Sequence, residues 1–268
     1  MRYAFCSSAS SFCSSPDWYI SRMMSEPEEV SFPSGKFELH GFIYRPAGSG
    51  PFRAILYNHG SEQRPGWKPE LGRFFSDNGY VFFVPHRRSH GRSPRDPQVD
   101  SLYNSGANGV VALQEIHLHD QLAALDYLKR LPAVDPERIA IAGCSYGGIQ
   151  TILALEAGAD GKASFRAAVD FAGGAQTWRH SAPLQQRMVA AVRKATVPVM
   201  FVQAENDYDV SPSHALAKEL DKLGKPHKLA VYPPFGTSVQ DGHGGFCGRG
   251  NAVWGRDVLS FLETALKN

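Results

Sequence analysis

The chain has 268 residues, with 28 basic and 26 acidic side chains and a formal net charge of +2. That balance carries no nucleic-acid footprint, and no apolar run approaches the roughly 18 residues that cross a bilayer. A hydrophobic content of 43% suits one large α/β domain, since such domains often run to about 200–250 residues.

Residues 1–30, MRYAFCSSASSFCSSPDWYISRMMSEPEEV, read as a tail outside the fold, either disordered or a misassigned start upstream of Met23 or Met24. The tail is Ser-rich and lacks the apolar stretch of a secretory signal. Residues 31–268 are expected to form a single α/β domain. KFELHGFIYRP (36–46) alternates as an antiparallel edge strand does. RAILYNHG (53–60) and YVFFVPH (80–86) are continuous apolar runs that stop at turn residues, as buried parallel strands do. KPELGRFFSDNG between them has helical spacing and a glycine stop. Residues 107–131 form the longest helical candidate, with Leu118, Leu122 and Leu125 on one stripe and Asp120, Lys129 and Arg130 off it.

Strand RIAIAG, helix GGIQTILALEAG and strand FRAAVDFAGG follow, then a polar helix, strand VPVMFVQA and helix SPSHALAKELDKLG, with Ser211 as its N-cap and Pro212 in its first turn. Strand HKLAVYPP and a closing helix, NAVWGRDVLSFLETALK, complete the chain. Such alternation predicts a mostly parallel sheet with helices on both faces, and chemistry beyond the carboxyl ends of the strands.

GCSYGG, after RIAIAG, is the informative stretch. It lacks the G-x-G-x-x-G of a dinucleotide site and the G-K-[ST] of a phosphate-binding loop. It fits G-x-S-x-G at Gly143, Ser145 and Gly147, the strained strand-to-helix turn that exposes a nucleophilic serine. Such a serine needs a base, and the base needs an orienting acid, in the chain order Ser, acid, His. ENDYDV after VPVMFVQA offers Glu205, Asp207 and Asp209, and Asp207 is preferred by its place before the next helix. Only His243, in QDGHGGF, lies beyond the last strand; His227 precedes that strand. The Tyr146 amide and one from the loop after RAILYNHG, Ser61 before Gly60, are the expected oxyanion donors. His59 reads as a brace for that loop, and Trp178 as a wall of an acyl or aryl pocket or as core.

HGS, GCSYGG, AENDYDV and DGHGGF, in that order, resemble the dienelactone hydrolase-like branch of the α/β-hydrolase superfamily over residues 35–268. The resemblance implies an α/β-hydrolase fold with a minimal lid, Ser145, Asp207 and His243 as triad, Tyr146 and Ser61 as oxyanion donors, and no metal or organic cofactor. Dienelactone hydrolases proper carry Cys where Ser145 stands, so the expected activity is general ester hydrolysis. The 22 or so residues between Gly174 and Val197 leave room for one helix and no large lid, which favours short-chain or aryl esters. An amidase or peptidase using the same triad is the alternative; a non-catalytic binding protein on this fold is another.

Cys6, Cys13, Cys144 and Cys247 show no C-x-x-C or Cys/His metal spacing, so neither a disulfide framework nor a zinc site is expected, and a reducing, cytoplasmic setting fits best. His117 and His119 face different sides of a helix and form no metal pair. Arg87, Arg88, Arg92 and Arg95 read as a solvated or salt-bridged loop. The expected partner is a small ester molecule, with neither nucleic acid nor membrane, and a homodimer is left open.

Overall fold

Eight strands make one sheet in the order β1-β2-β4-β3-β5-β6-β7-β8 in the computed structural model, which describes residues 26–106 and 109–267. The strands are β1 (Glu28–Ser34), β2 (Phe37–Tyr44), β3 (Phe52–Asn58), β4 (Tyr80–Pro85), β5 (Val134–Cys144), β6 (Ala167–Phe171), β7 (Val199–Ala204) and β8 (His227–Tyr232). β2 pairs antiparallel with β1 and β4, and every pair from β4 to β8 is parallel. The alternation's mostly parallel sheet is present, and the architecture is the α/β-hydrolase fold that the resemblance implies.

The helices are α1 (Pro69–Asp77), α2 (Pro97–Tyr103), α3 (Val110–Lys129), α4 (Tyr146–Ala159), α5 (Ala182–Arg193), α6 (Ser211–Lys222), α7 (Phe246–Arg249) and α8 (Asn251–Ala265). Because side chains alternate along a strand, the central strands feed two cores. Leu56, Ile139 and Ile141 join α3, α4, α5 and α6 through Leu125, Ile152, Met188 and Leu216. Ile55, Ala140 and Ala142 join α1 and α8 through Phe75, Trp254 and Val258. The β4 residues YVFFVP are buried throughout, which explains why that strand reads as unbroken apolar sequence.

Two features depart from the sequence reading. β1 starts at Glu28, so the fold begins inside the segment set aside as tail. Its acidic start and Pro33 hide an edge strand whose Val30, Phe32 and Ser34 alternate inward. The α6 helix begins at Ser211 itself, and the Asp209 carboxylate, not a Ser211 side chain, accepts the Ser211 N–H at 2.9 Å. Residues 1–25 of the tail lie outside the described residues. Among those described, no helix is long and apolar enough to cross a membrane.

Candidate active site

β5 runs into α4 at Ser145, whose backbone sits at φ 57°, ψ −114°. The glycines on either side are steric necessities. A Cβ at Gly147 would lie 1.9 Å from the Asn58 carbonyl oxygen, and one at Gly143 2.2 Å from the Gly147 carbonyl oxygen. The elbow is fixed by the Ser145 N–H donating to the Phe171 carbonyl at 2.8 Å. It leaves the Ser145 hydroxyl at the start of α4, whose first amides have no intrahelical acceptor and carry the positive end of the helix dipole.

His243 enters from a π-helical turn, Asp241–Gly245. Its Nε2 stands 2.8 Å from Ser145 Oγ, and its Nδ1 2.8 Å from Asp207 Oδ1. Both side chains are almost fully buried. The Oδ1 atom sits off the line of the ring N–H, a misalignment that catalytic hydrogen bonds often lose only when substrate binds. Asp207 is held from two sides, accepting the Tyr208 N–H on Oδ1 at 2.6 Å and the Gln203 Nε2–H on Oδ2 at 3.0 Å. Gln203, buried in β7, also donates to the Asp209 carbonyl and accepts the Ser213 hydroxyl. Its role was not legible, since a glutamine inside an apolar run carries no motif.

The other acids in ENDYDV do different work. Asp209 accepts from Arg179 Nε and Nη2, at 2.9 and 3.0 Å, and from the Ser211 amide and hydroxyl. Burial alone would raise its carboxyl, but the Arg179 and Ser211 hydrogen bonds outweigh that and hold it below the ordinary carboxylate value. Glu205 is exposed. Tyr208, also missed in the sequence, packs its ring edge-on against His243 with centroids 5.2 Å apart and caps the histidine's outer face.

A cavity of about 420 Å³ opens over Ser145 and His243, lined also by Tyr57, Ser61, Lys68 and Gln240. A smaller recess of about 50 Å³ leaves Ser145 between Ser61, Tyr146, Ile149 and Val110. Ser61 lines both, and its amide has no acceptor among the described residues. Trp178 does not wall either space. It is buried in the core beside Leu184 and Met188, while its neighbours Gln176 and Thr177 reach the recess. A 3-10 turn at Trp178–His180 rolls the indole inward.

His59 is fully buried with its Nδ1 2.9 Å from the Gly60 carbonyl, as a loop brace should be. His117 is buried and bonds the Tyr146 hydroxyl at 2.7 Å, while His119 is exposed. Asp120, placed off the apolar stripe of α3, is buried instead in an ion pair with Arg88. The cysteine expectation is corrected: a disulfide joins Cys144 to Cys247, with Cα atoms 6.0 Å apart. The sequence concealed it because the two are 103 residues apart and meet only when the His243 loop folds back onto the elbow.

A serine on such an elbow, with histidine and aspartate gathered behind it at the carboxyl end of a parallel sheet, defines a serine hydrolase of α/β-hydrolase fold. Residues 72–268 match the prolyl oligopeptidase family, and the chain belongs to it. The superfamily expected from sequence holds and the family matched is this one; a likeness to the dienelactone hydrolase-like branch in particular is not shown. The chain is 25% identical over 230 residues to the uncharacterized peptidase YtmA of Bacillus subtilis, covering 77% of this chain and 84% of that protein. It is 26% identical over 214 residues to dipeptidyl-peptidase 5 of Porphyromonas gingivalis, covering 68% of this chain but 30% of the relative's length. Among solved structures, the Pyrococcus horikoshii acylaminoacyl peptidase superposes with a TM-score of 0.71 at 19% identity, over 94% of this chain and 43% of that one. An esterase from Pyrococcus furiosus superposes with a TM-score of 0.64 at 15% identity, over 95% of this chain and 96% of that one.

Proposed function

We infer that this chain hydrolyses small peptides and related amides through an acyl-enzyme on Ser145. The observation that carries the reading is the placement of His243 between Ser145 and Asp207, its Nε2 2.8 Å from Ser145 Oγ and its Nδ1 2.8 Å from Asp207 Oδ1. Its family and the names of its curated relatives turn the choice among acyl substrates toward peptides. The short-chain or aryl esterase reading from sequence is thereby second. It rests on the single-domain esterase neighbour, and the shared acyl-enzyme step predicts that activated esters are cleaved as well.

In the reaction, Ser145 Oγ attacks the substrate carbonyl carbon as its proton passes to His243 Nε2. The Tyr146 and Ser61 amides receive the negative oxygen. Asp207 keeps the imidazole oriented and stabilises its cationic form. His243 then gives the proton to the leaving amine nitrogen, the C–N bond breaks, and water repeats the cycle on the acyl-enzyme. The recess is small, about 50 Å³ against about 420 Å³ for the main cavity. That supports a small group, such as an alanine side chain or an acetyl methyl, on the acyl side.

Intact-mass spectrometry after a fluorophosphonate, followed by hydrolysis of alanine p-nitroanilide, alanyl dipeptides and p-nitrophenyl acetate, tests the reading. One adduct on Ser145 with amide turnover supports it. Turnover confined to esters would favour the second reading, and no adduct on folded protein would leave a binding protein.

A further inference from the structure

Four arginines cluster after β4, and three of them meet carboxylates. Arg88 pairs with Asp96 and Asp120, Arg92 with Glu29, and Arg95 with Asp100. Arg87 is different: only 3% exposed, it takes no carboxylate among the described residues. A buried cation without an anion is costly and persists only where other groups use it. Its fork is spent on the loop that carries Ser61. Nη1 donates to the His59 carbonyl at 2.8 Å and Nη2 to the Gly60 carbonyl at 2.6 Å. The guanidinium plane lies over the Tyr146 ring, 4.6 Å from its centroid, and the Tyr146 hydroxyl is tied beyond it to His117.

We propose that Arg87 is a positioning residue for the oxyanion hole, locking together the two segments whose amides, Ser61 and Tyr146, receive the developing charge. Turning the His59 and Gly60 carbonyls onto the guanidinium fixes the peptide plane that precedes the Ser61 N–H. Stacking on Tyr146 then sets that loop's distance from the elbow. The positive charge buried behind both amides also favours an anion in front of them. Lysine cannot reproduce this, since a point charge lacks both the planar fork and the stacking face. The proposal rests on the hydrolase reading above.

The experiment compares wild type, Arg87→Lys and Arg87→Met on p-nitrophenyl acetate and alanine p-nitroanilide, with kcat, KM, the pH profile of kcat/KM and Tm measured for each. The expected result is a fall in kcat of about 10²-fold for Arg87→Met, the size of losing one oxyanion donor. Arg87→Lys should fall in between. KM should stay within about threefold, and the pH midpoint should not move, because the base is untouched. A folded variant with kcat within about twofold of wild type would overturn the proposal. So would a loss confined to KM, or a displaced pH midpoint, which would place Arg87 in substrate binding or behind His243. If neither variant folds, Arg87 is a core brace and the proposal is again wrong. If wild type turns over neither substrate, the hydrolase reading itself fails, separately and visibly.

Discussion

Cys144, the residue before the nucleophile, is bonded to Cys247, four residues beyond His243, so one covalent link ties the elbow to the loop that delivers the base. The histidine turn is glycine-rich, with Gly242, Gly244 and Gly245, and is otherwise held by Asp241 bonding Ser238 and by Asn206 bonding the Ser238 and Phe235 carbonyls. Both sulfurs' residues border the cavity over Ser145. Closing a loop of this length stabilises by roughly 4–5 kcal/mol in the chain-entropy account. Reduction by a dithiol, or Cys247→Ala, should therefore lower Tm by many degrees. It should also lower kcat at temperatures where the protein is still folded, as His243 gains freedom. Thermal unfolding and turnover with and without reductant check this; identical curves would show that the link holds nothing.

Asp207 and Asp209 stand two residues apart and make opposite predictions. Asp207→Asn leaves the shape intact but removes the charge that orients His243, so kcat should fall by about 10⁴-fold with little change in Tm. Asp209→Asn breaks the paired Arg179 contact and weakens the start of α6, so its effect should fall on Tm, with kcat changed by less than about tenfold. Steady-state kinetics beside calorimetry on both variants decides the matter. A reversed pattern would assign the acid to Asp209.

Gly147→Ala asks for a single methyl and should cost the fold. The added Cβ would meet the Asn58 carbonyl oxygen at 1.9 Å and the His59 carbonyl oxygen at 2.6 Å, and both are backbone atoms that cannot swing away. Overpacking a rigid site costs about 1–3 kcal/mol or more, and here it would push α4 off the strand that positions the oxyanion loop. Expected is insoluble protein, or soluble protein with a lowered Tm and less than about 1% of wild-type kcat. Near-normal activity would mean that the elbow can open.

What could be read beforehand follows a physical line. Elements whose signal is local were legible: the unbroken apolar run of β4, the existence of helix α3 and the glycine-flanked Ser145. The buried face of α3 was not, since Gln114, His117, Asp120 and Gln121 are buried while Leu118 and Leu122 of the expected stripe are half-buried. The order Ser145, Asp207, His243 followed because the sheet's topology fixes which loops meet at its carboxyl edge. Groups whose meaning depends on a distant partner were not. Cys144 and Cys247 looked like lone cysteines, and Arg87 looked like one member of a solvated cluster. Gln203 was hidden in a strand. Trp178 was placed on the right loop but turns inward, because sequence marks a loop's position and not its roll.

Acid and base should unfold this protein for separate reasons, which one substitution can disentangle. Asp170 is fully buried, with one oxygen accepting the Gly173 N–H and the other unpartnered; burial raises its carboxyl to about 7 against that hydrogen bond. A folded value above the unfolded one means stability that is present below about pH 4 and is lost as pH rises toward 7. The loss is on the order of 1.4 kcal/mol per pH unit. Buried His59, His90 and His117 act oppositely. Burial first, then Arg87, holds them below 6.5, His90 at about 3. Their contribution is present above about pH 6.5 and is lost as pH falls, because the unfolded chain takes up protons that the fold refuses. Asp170→Asn keeps an acceptor for Gly173 but cannot ionise. Its Tm advantage over wild type should widen between pH 4 and 7 and then level off, while its acid limb, set by the histidines, should match that of wild type. A Tm difference that is constant across pH 4–8 would show that Asp170 titrates alike in the folded and unfolded states.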